Sequence, residues 1–545
     1  MTNVLDRCIF PGMTAPNPRA AAAPTRAWIG LAALVLAATL VSMDLSVLFL
    51  ALPYLSEALE PSGTQLLWIT DIYGFMLGGL LLTMGTLGDR IGRRRLLIGG
   101  AALFGLASAI AAFAPTAELL VAARALLGVA GATLAPSTLA LIRNMFHDPR
   151  QRRTAIGVWT AGFSGGGALG PVIGGVLLEH FWWGSVFLIN VPVMAALLVA
   201  APLLLPEFRA ARAGRFDLLS AAMSLAAVLA VIYGIKRLAE HGADPAAAAA
   251  VLLGTAIGVL FVRRQRRLAD PMIDVGLFRS RAFSTAVAVN ALTMFALMGS
   301  GILTAQFLQS VLGMRPLVAA LWSTVPFLAV PIGVTVATLA VRRLRPAAVV
   351  GAGLFTTAAG FLVMTRVTTD GGPLLLIAGS AVMAAGVGMV STLANDLVVA
   401  TAPPERAGAA SALSETGSEF GGALGIAALG TLSTAIYQAQ VASDAPQGIP
   451  AAVLHTAGET IGAALHAAAS LPGSAGERLA DVAREAFTAG LHASTAAAGA
   501  LLATAAVVVL IVLRDLRTEQ VVHQEDEDED ADGGGPGAQP AETRT

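Results

Sequence analysis

Fourteen stretches of this chain are apolar for about 20 residues each, the length needed to cross a bilayer, and that repetition limits the fold more than any other feature. They run over 28–53, 64–86, 95–114, 118–143, 154–178, 183–205, 216–235, 246–263, 282–304, 316–340, 347–365, 373–398, 407–437 and 487–513. Each is expected to be a helix, because in hydrocarbon a helix satisfies its own backbone hydrogen bonds. The alternating ten-residue pattern of a membrane β-barrel is absent. Charged residues are 13% of the 545 positions, against roughly a quarter in a water-soluble domain. The first run is too long for the apolar region of a signal peptide. The only cysteine, Cys8, lies in a polar leader (1–27) expected to be disordered, so no disulfide framework is possible and no metal site is suggested.

Lys and Arg alternate from loop to loop. Starting inside, every second loop is basic: Arg90, Arg93, Arg94 and Arg95; Arg143, Arg150, Arg152 and Arg153; Arg209, Arg212 and Arg215. The series continues with Arg263, Arg264, Arg266, Arg267, Arg279 and Arg281, then Arg342, Arg343 and Arg345, then Arg406, then Arg514 and Arg517. The opposite loops hold Lys236, Arg237, Arg315, Arg366, Arg478 and Arg484. Moving cationic loops across a membrane is disfavoured, so both termini are expected in the cytoplasm of a multi-pass protein of the cell (inner) membrane. Dropping one span would invert every later loop.

Two regions are not membrane. In 438–486 the residues Val453, Leu454, Ile461 and Leu465, then Leu479, Val482 and Phe487, recur at helical spacing on either side of Pro472-Gly473. This reads as an external helical hairpin, or else as a disordered Ala-rich loop. The tail 514–545 carries the acidic run Glu525 to Asp530 and then Gly and Pro, and is expected to be disordered.

The sharpest motif is Gly85-Thr86-Leu87-Gly88-Asp89-Arg90-Ile91-Gly92-Arg93-Arg94-Arg95. Its glycines permit a tight turn, and Asp89 can pair with an arginine or cap the next helix, latching the basic face. A basic turn alone would explain the arginines but not Asp89 or the glycine spacing. Arg124 sits inside the fourth span ahead of Gly128 and Gly131, where a cation is costly and usually functional. In the fifth span, Gly165-Gly166-Gly167-Ala168-Leu169-Gly170-Pro171-Val172-Ile173-Gly174-Gly175 combines a proline kink with a close-packing seam.

Residues 85–95 resemble the signature loop of the major facilitator superfamily. The run at 165–175 resembles that family's antiporter motif, and Arg124 falls where the family carries an arginine tied to proton handling. Two spans, 216–235 and 246–263, lie between two groups of six. With Met43-Asp44-Leu45, Trp68-Ile69-Thr70-Asp71-Ile72-Tyr73, Asn190-Val191-Pro192 and Asp270-Pro271-Met272-Ile273-Asp274-Val275-Gly276-Leu277-Phe278, this layout is similar to the fourteen-helix drug:proton antiporter-2 family of QacA-like multidrug exporters. The resemblance implies an all-α major facilitator fold: a six-helix bundle at 28–205, a linker with two extra helices at 206–281, and a second bundle at 282–513.

Membrane carboxylates are the candidates for the chemistry, since an unpaired one in hydrocarbon must be protonated, paired or in a watery cavity. They are Asp44, Asp71, Asp396 and the pair Glu415 and Glu419, which share a helix face. The plainer readings are a structural hydrogen bond for Asp44 and Asp71, and solvation at the cavity mouth for Asp396 and the glutamates. By resemblance, Asp44, Asp71 and the glutamate pair fall where such exporters carry proton- or cation-responsive acids. No acid stands in 316–340, where some relatives have one. Trp68, Tyr73, Trp159, Phe163 and Phe327 could offer aromatic faces to a cation, the plainer reading being packing or interfacial anchoring; Trp159 and Phe163 stand apart because they share a face before Pro171.

The expected activity is proton-coupled export of lipophilic cations such as quaternary ammonium compounds and dyes, by alternating access about a midplane site. The alternative is proton-coupled export of one antibiotic, lipid or other metabolite. No His cluster, nucleophile elbow or phosphate-binding loop points to an enzyme or an ATP-driven pump. The expected partners are protons, lipophilic cations and the bilayer, with no cofactor, metal or nucleic acid, and the expected unit is a monomer.

Overall fold

The computed structural model describes residues 24–146, 148–209, 217–241, 244–268, 271–401, 407–446, 449–472 and 474–513. The expected disorder of the leader and of the acidic tail, and the roles of Asp270 and Arg406, lie outside these residues. The chain forms α1 (Thr25–Leu59), α2 (Gly63–Ile91), α3 (Arg93–Ala112), α4 (Ala117–Met145), α5 (Pro149–His180), α6 (Ser185–Leu188), α7 (Asn190–Leu204), α8 (Leu218–His241) and α9 (Pro245–Gln265). It continues with α10 (Arg281–Gln306), α11 (Pro316–Ala340), α12 (Pro346–Met364), α13 (Leu374–Ala400), α14 (Ala407–Ser443), α15 (Ala451–Glu459), α16 (Ile461–Ser470) and α17 (Ser474–Val512). Among the described residues, 14 helical segments are long and apolar enough to cross a membrane, with α6 and α7 together making one and α10 extended by a π-turn over Phe307–Val311.

Several helices outrun the apolar stretches that announced them. Hydropathy marks the part of a helix that lies in hydrocarbon, whereas the hydrogen-bond ladder continues until a cap stops it. Ser62 and Gln65 form a reciprocal capping box at the start of α2, and Asp148, Asp244 and Ser280 cap α5, α9 and α10. The largest overrun is at α17, which begins 13 residues before its apolar run, and α8 continues six residues past the end of its own. Lys236 and Arg237, assigned from charge alternation to an external loop, are therefore inside a helix, and Lys236 is buried. The segment expected to be external is helical, but it breaks at Thr460, which caps α16, and its second half is the leading part of α17.

Helices α1–α7 pack among themselves, chiefly α1 on α5, α2 on α4 and α3 on α4, and α10–α17 do likewise through α10 on α14, α11 on α13 and α12 on α13 and α17. The two halves meet where α2 packs on α14 and α5 on α11. Helices α8 and α9 form a hairpin that touches this body through α8, against α2 and α14. Lipid removes the hydrophobic drive between helices, so close approach of small residues has to hold them together. The seam between α1 and α5 shows how. A Cβ on Gly166 would run into the backbone of Thr39, and one on Gly170 into Ser46 and Met43. Gly165, one residue away, faces open space. Gly166→Ala should thus sharply lower the yield of monodisperse protein, at an overpacking cost of about 1–3 kcal/mol, whereas Gly165→Ala should not. Equal size-exclusion profiles for the two variants would contradict this account of the seam.

At the end opposite the basic loops, α15 packs on α14 and α16. The Glu459 carboxylate accepts the Gly63 N–H at 3.1 Å, the Tyr437 hydroxyl donates to the Ala457 carbonyl at 2.8 Å, and α16 packs on α1 and α17.

Candidate functional site

A cavity of about 1030 Å³ lies between the two halves and opens at the end that carries the basic loops. Its mouth is lined by Asp89, Arg93, Arg143, Asn144 and Asp217, its walls by Leu45, Leu77, Trp159, Phe163 and Met294, and one side by Glu415 and Glu419. The acids stand one helical turn apart on α14. Glu415 is exposed into the cavity and Glu419 half-buried beside it, so water reaches both although protein surrounds them. Trp159 and Phe163, four residues apart on α5, stack at 5.6 Å with planes 17° apart, and the Trp159 indole donates to Thr138 Oγ1 at 3.1 Å. That bond fixes the indole and presents a flat aromatic wall. A polar cluster that sequence reasoning did not single out stands close by in sequence to the acids: Asn290 Nδ2 donates to Asn395 Oδ1 and to Ser414 Oγ, both at 3.1 Å.

The other acids are arranged differently. Asp44 is buried inside the first half and ion-paired with Arg124, which is itself fully buried. Arg124 Nε also donates to the Ile69 carbonyl at 3.1 Å, and its guanidinium lies 4.7 Å from the Tyr73 ring centroid. Asn190 completes the group, donating to Asp44 at 3.3 Å and to Ser108 at 3.2 Å. Neither Asp44 nor Arg124 lines the cavity. Asp71 is also fully buried and pairs at 2.7 Å with Lys236 of α8, whose ammonium sits 4.1 Å above the Trp68 ring. Asp396 is exposed on α13 and is not part of the cavity wall. Two of the five aromatic faces considered for a cation, Trp68 and Tyr73, are thus occupied by the protein's own cations.

Lys236 had a sequence signal that charge counting concealed. It ends an apolar run at the same depth as Asp71, and a lone lysine and a lone aspartate at one depth of a bilayer are natural partners.

At the basic end, the loop between α2 and α3 is held from both sides. Asp89 pairs with Arg93 at 2.6 Å, four residues on, so of its two expected roles it takes the ionic one. The capping falls to Glu207, unnoticed in the sequence, which accepts the Arg94 N–H at 3.2 Å. Gly92 turns with φ +114°, a conformation that L side chains rarely adopt, and Glu207 fills the space a Cβ would need. Arg90 is exposed. On the opposite lip, Asp217 joins the ends of α8 and α9 through Arg264 at 2.9 Å and Ser220. Burial alone would lift the Asp217 carboxyl, but hydrogen bonds from Ser220 and Arg264 hold it below the usual carboxylate range.

The arrangement provides a large, mostly apolar chamber with one acidic wall and one aromatic wall, and two buried ion pairs outside it. Among the described residues no group of His, Cys, Asp and Glu is placed to hold a metal ion.

Comparison with known proteins agrees with this architecture. The model of the Major Facilitator Superfamily matches residues 34–426. The multidrug efflux pump LfrA of Mycolicibacterium smegmatis is 45% identical over 499 residues, covering 91% of this chain and 98% of that protein. The methyl viologen resistance protein SmvA of Salmonella typhimurium is 38% identical, covering 88% and 97%. Among solved structures, a bacterial homolog of the human lysosomal transporter Spinster, in an inward-facing and unoccupied conformation, superposes with TM-score 0.62 at 18% identity, covering 91% of this chain and 98% of that one.

Proposed function

We propose that this chain, which belongs to the Major Facilitator Superfamily, is a proton-driven efflux antiporter that exports lipophilic cations across the cell membrane. The observation that carries the reading is the acidic pair Glu415 and Glu419 facing the stacked rings of Trp159 and Phe163 across a large apolar cavity. A lipophilic cation gains from each element: apolar surface removed from water, a ring face for its charge, and a carboxylate counter-ion. An anion would meet repulsion from the acids, and a neutral compound would leave them unused. The name of one relative, a methyl viologen resistance protein, supports a cationic substrate, and that of another, a multidrug efflux pump, supports export.

With the basic loops in the cytoplasm, as the charge distribution favours, the cavity accepts its cargo from the cell interior. The cation binds against Glu415 and Glu419, and the two halves rock to expose it outside. Protons arriving there neutralise the acids and release the cation, and their loss to the cytoplasm resets the site. A ligand moves such an equilibrium only by binding its two states unequally, and the charge of the acidic wall supplies that difference. No cofactor is required, and a single chain contains the whole pathway. Asp44–Arg124 and Asp71–Lys236 hold helices in place while the acidic pair exchanges its partners.

The test is a pH jump on proteoliposomes containing ethidium, benzalkonium or methyl viologen. Cation movement should follow the imposed proton gradient and stop with a protonophore. Movement of a neutral or anionic antibiotic with no response to any of the three cations would replace this reading with that of a dedicated product exporter.

A further inference from the structure

Helix α9 packs along α8 and makes no comparable contact with the body of the protein. Between them runs a groove of about 670 Å³, walled by Phe75 of α2 and Phe420 and Leu424 of α14 on one side, and by Gly258, Val259 and Val262 of α9 on the other, with α8 as its floor. The groove has three properties that together point to an occupant. It is almost wholly apolar along its length, so water has nothing to bond there. From Gly254 to Arg266 it follows α9 and its C-terminal cap over 13 residues, about 18 Å, close to the hydrocarbon depth of one leaflet of a ~30 Å core. At the end nearest the basic loops it carries Arg263 and Arg266. Both are exposed, and neither has an acidic partner among the described residues, whereas their neighbour Arg264 is committed to Asp217.

We propose that this groove is a binding site for one anionic phospholipid of the leaflet at the basic end. Its acyl chains fill the space between the hairpin and the body, and its phosphate pairs with Arg263 and Arg266. An unfilled apolar gap of this size would forfeit the dispersion contacts of every side chain lining it, so lipid must enter, and the two arginines choose the headgroup. The occupant bridges α9 to α2 and α14, one helix from each half, which makes it part of the joint on which the halves move. The site is separate from the cavity that holds Glu415 and Glu419, and it stands whether or not cations are the cargo.

The full-length chain, extracted in mild detergent and delipidated to its last retained phospholipid, should keep about one anionic lipid per chain by mass spectrometry. Arg263→Gln with Arg266→Gln should lower the ratio of retained anionic to zwitterionic lipid roughly tenfold, because each arginine near a membrane surface favours anionic lipid. Gly258→Phe fills the groove, since a Cβ there has only Ala227 at 3.8 Å, and should expel the retained lipid of either headgroup. Arg342→Gln with Arg343→Gln, exposed on the same end of the protein but far from the groove in sequence, serves as the control. The proposal falls if that control lowers the ratio equally, if Gly258→Phe retains its lipid, or if the groove is found to hold a drug in place of phospholipid.

Discussion

Glu415→Gln combined with Glu419→Gln is expected to abolish gradient-driven cation efflux while leaving the protein folded. Both acids face water in the cavity, so exchanging them for isosteric amides strands no buried partner. Folding should be untouched, as judged by an unchanged melting temperature in detergent. The loss falls on the substrate. A cation deprived of its counter-charge in the closed-off cavity loses about 2–5 kcal/mol of interaction, hence roughly thirtyfold or more in affinity. Each single variant should lose less, because the acids stand one turn apart and either can carry part of the attraction. The apolar and aromatic walls remain, so a neutral hydrophobic dye should still bind, measured by fluorescence titration. Normal ethidium efflux by the double variant in proteoliposomes would remove the acidic pair from the mechanism.

Lys236→Met should produce the opposite signature, a protein that folds poorly for a reason unrelated to substrate. Asp71 and Lys236 are both buried and, among the described residues, each is the other's only charged partner. Removing one member leaves an uncompensated charge in a low-dielectric interior, at a cost of about 3–5 kcal/mol. Asp71→Leu should do the same from the other side, stranding the ammonium over Trp68. The double variant Asp71→Leu with Lys236→Met removes both charges, and replacing a buried pair with apolar residues is often neutral or stabilising. It should therefore recover most of the stability, measured as thermal melting and expression yield. If the double variant is no more stable than either single one, the pair is not the dominant interaction at that site. If it is stable and still exports ethidium at the normal rate, Asp71 serves to anchor the extra hairpin and takes no part in cation or proton handling.

The pair also explains why the two additional helices stay in register with the first half. Helix α8 meets α2 through this ionic contact and through apolar packing of Ala221 and Leu225 against Leu80, and it meets α14 of the second half through apolar surface around Phe420, Ala423 and Ala427. An ionic bond holds one position, while a smooth apolar face tolerates sliding. The ion pair therefore ties the register of the hairpin to the first half.

Much of this protein is legible in its residues one at a time. Fourteen apolar runs had to become helices, because the bilayer allows the backbone no other local solution, and each run contains its own information. The loop Gly85–Arg95 and the seam Gly165–Gly175 were equally readable, since a turn and a close-packed helix face depend on neighbours in sequence. The stacked pair Trp159 and Phe163 belongs to the same class, being four apart on one helix. Helix ends were less legible, because hydrophobicity reports depth in the membrane while caps such as Ser62 and Thr460 decide where the ladder stops.

What no local pattern could supply was the division of labour among the acids. Asp44, Asp71, Asp396, Glu415 and Glu419 all read as candidate membrane carboxylates, each with a structural or a solvated alternative. Only the packing of distant helices hands Arg124 to Asp44 across 80 residues and Lys236 to Asp71 across a longer stretch of chain, and leaves the glutamates facing the cavity. The physical reason is that a charge's role depends on the charge opposite it, and that partner comes from another helix. Sequence determined that the chain crosses a membrane fourteen times and bears acids within it; tertiary structure decided which of those acids are matched within the protein and which face the space where a cargo can bind.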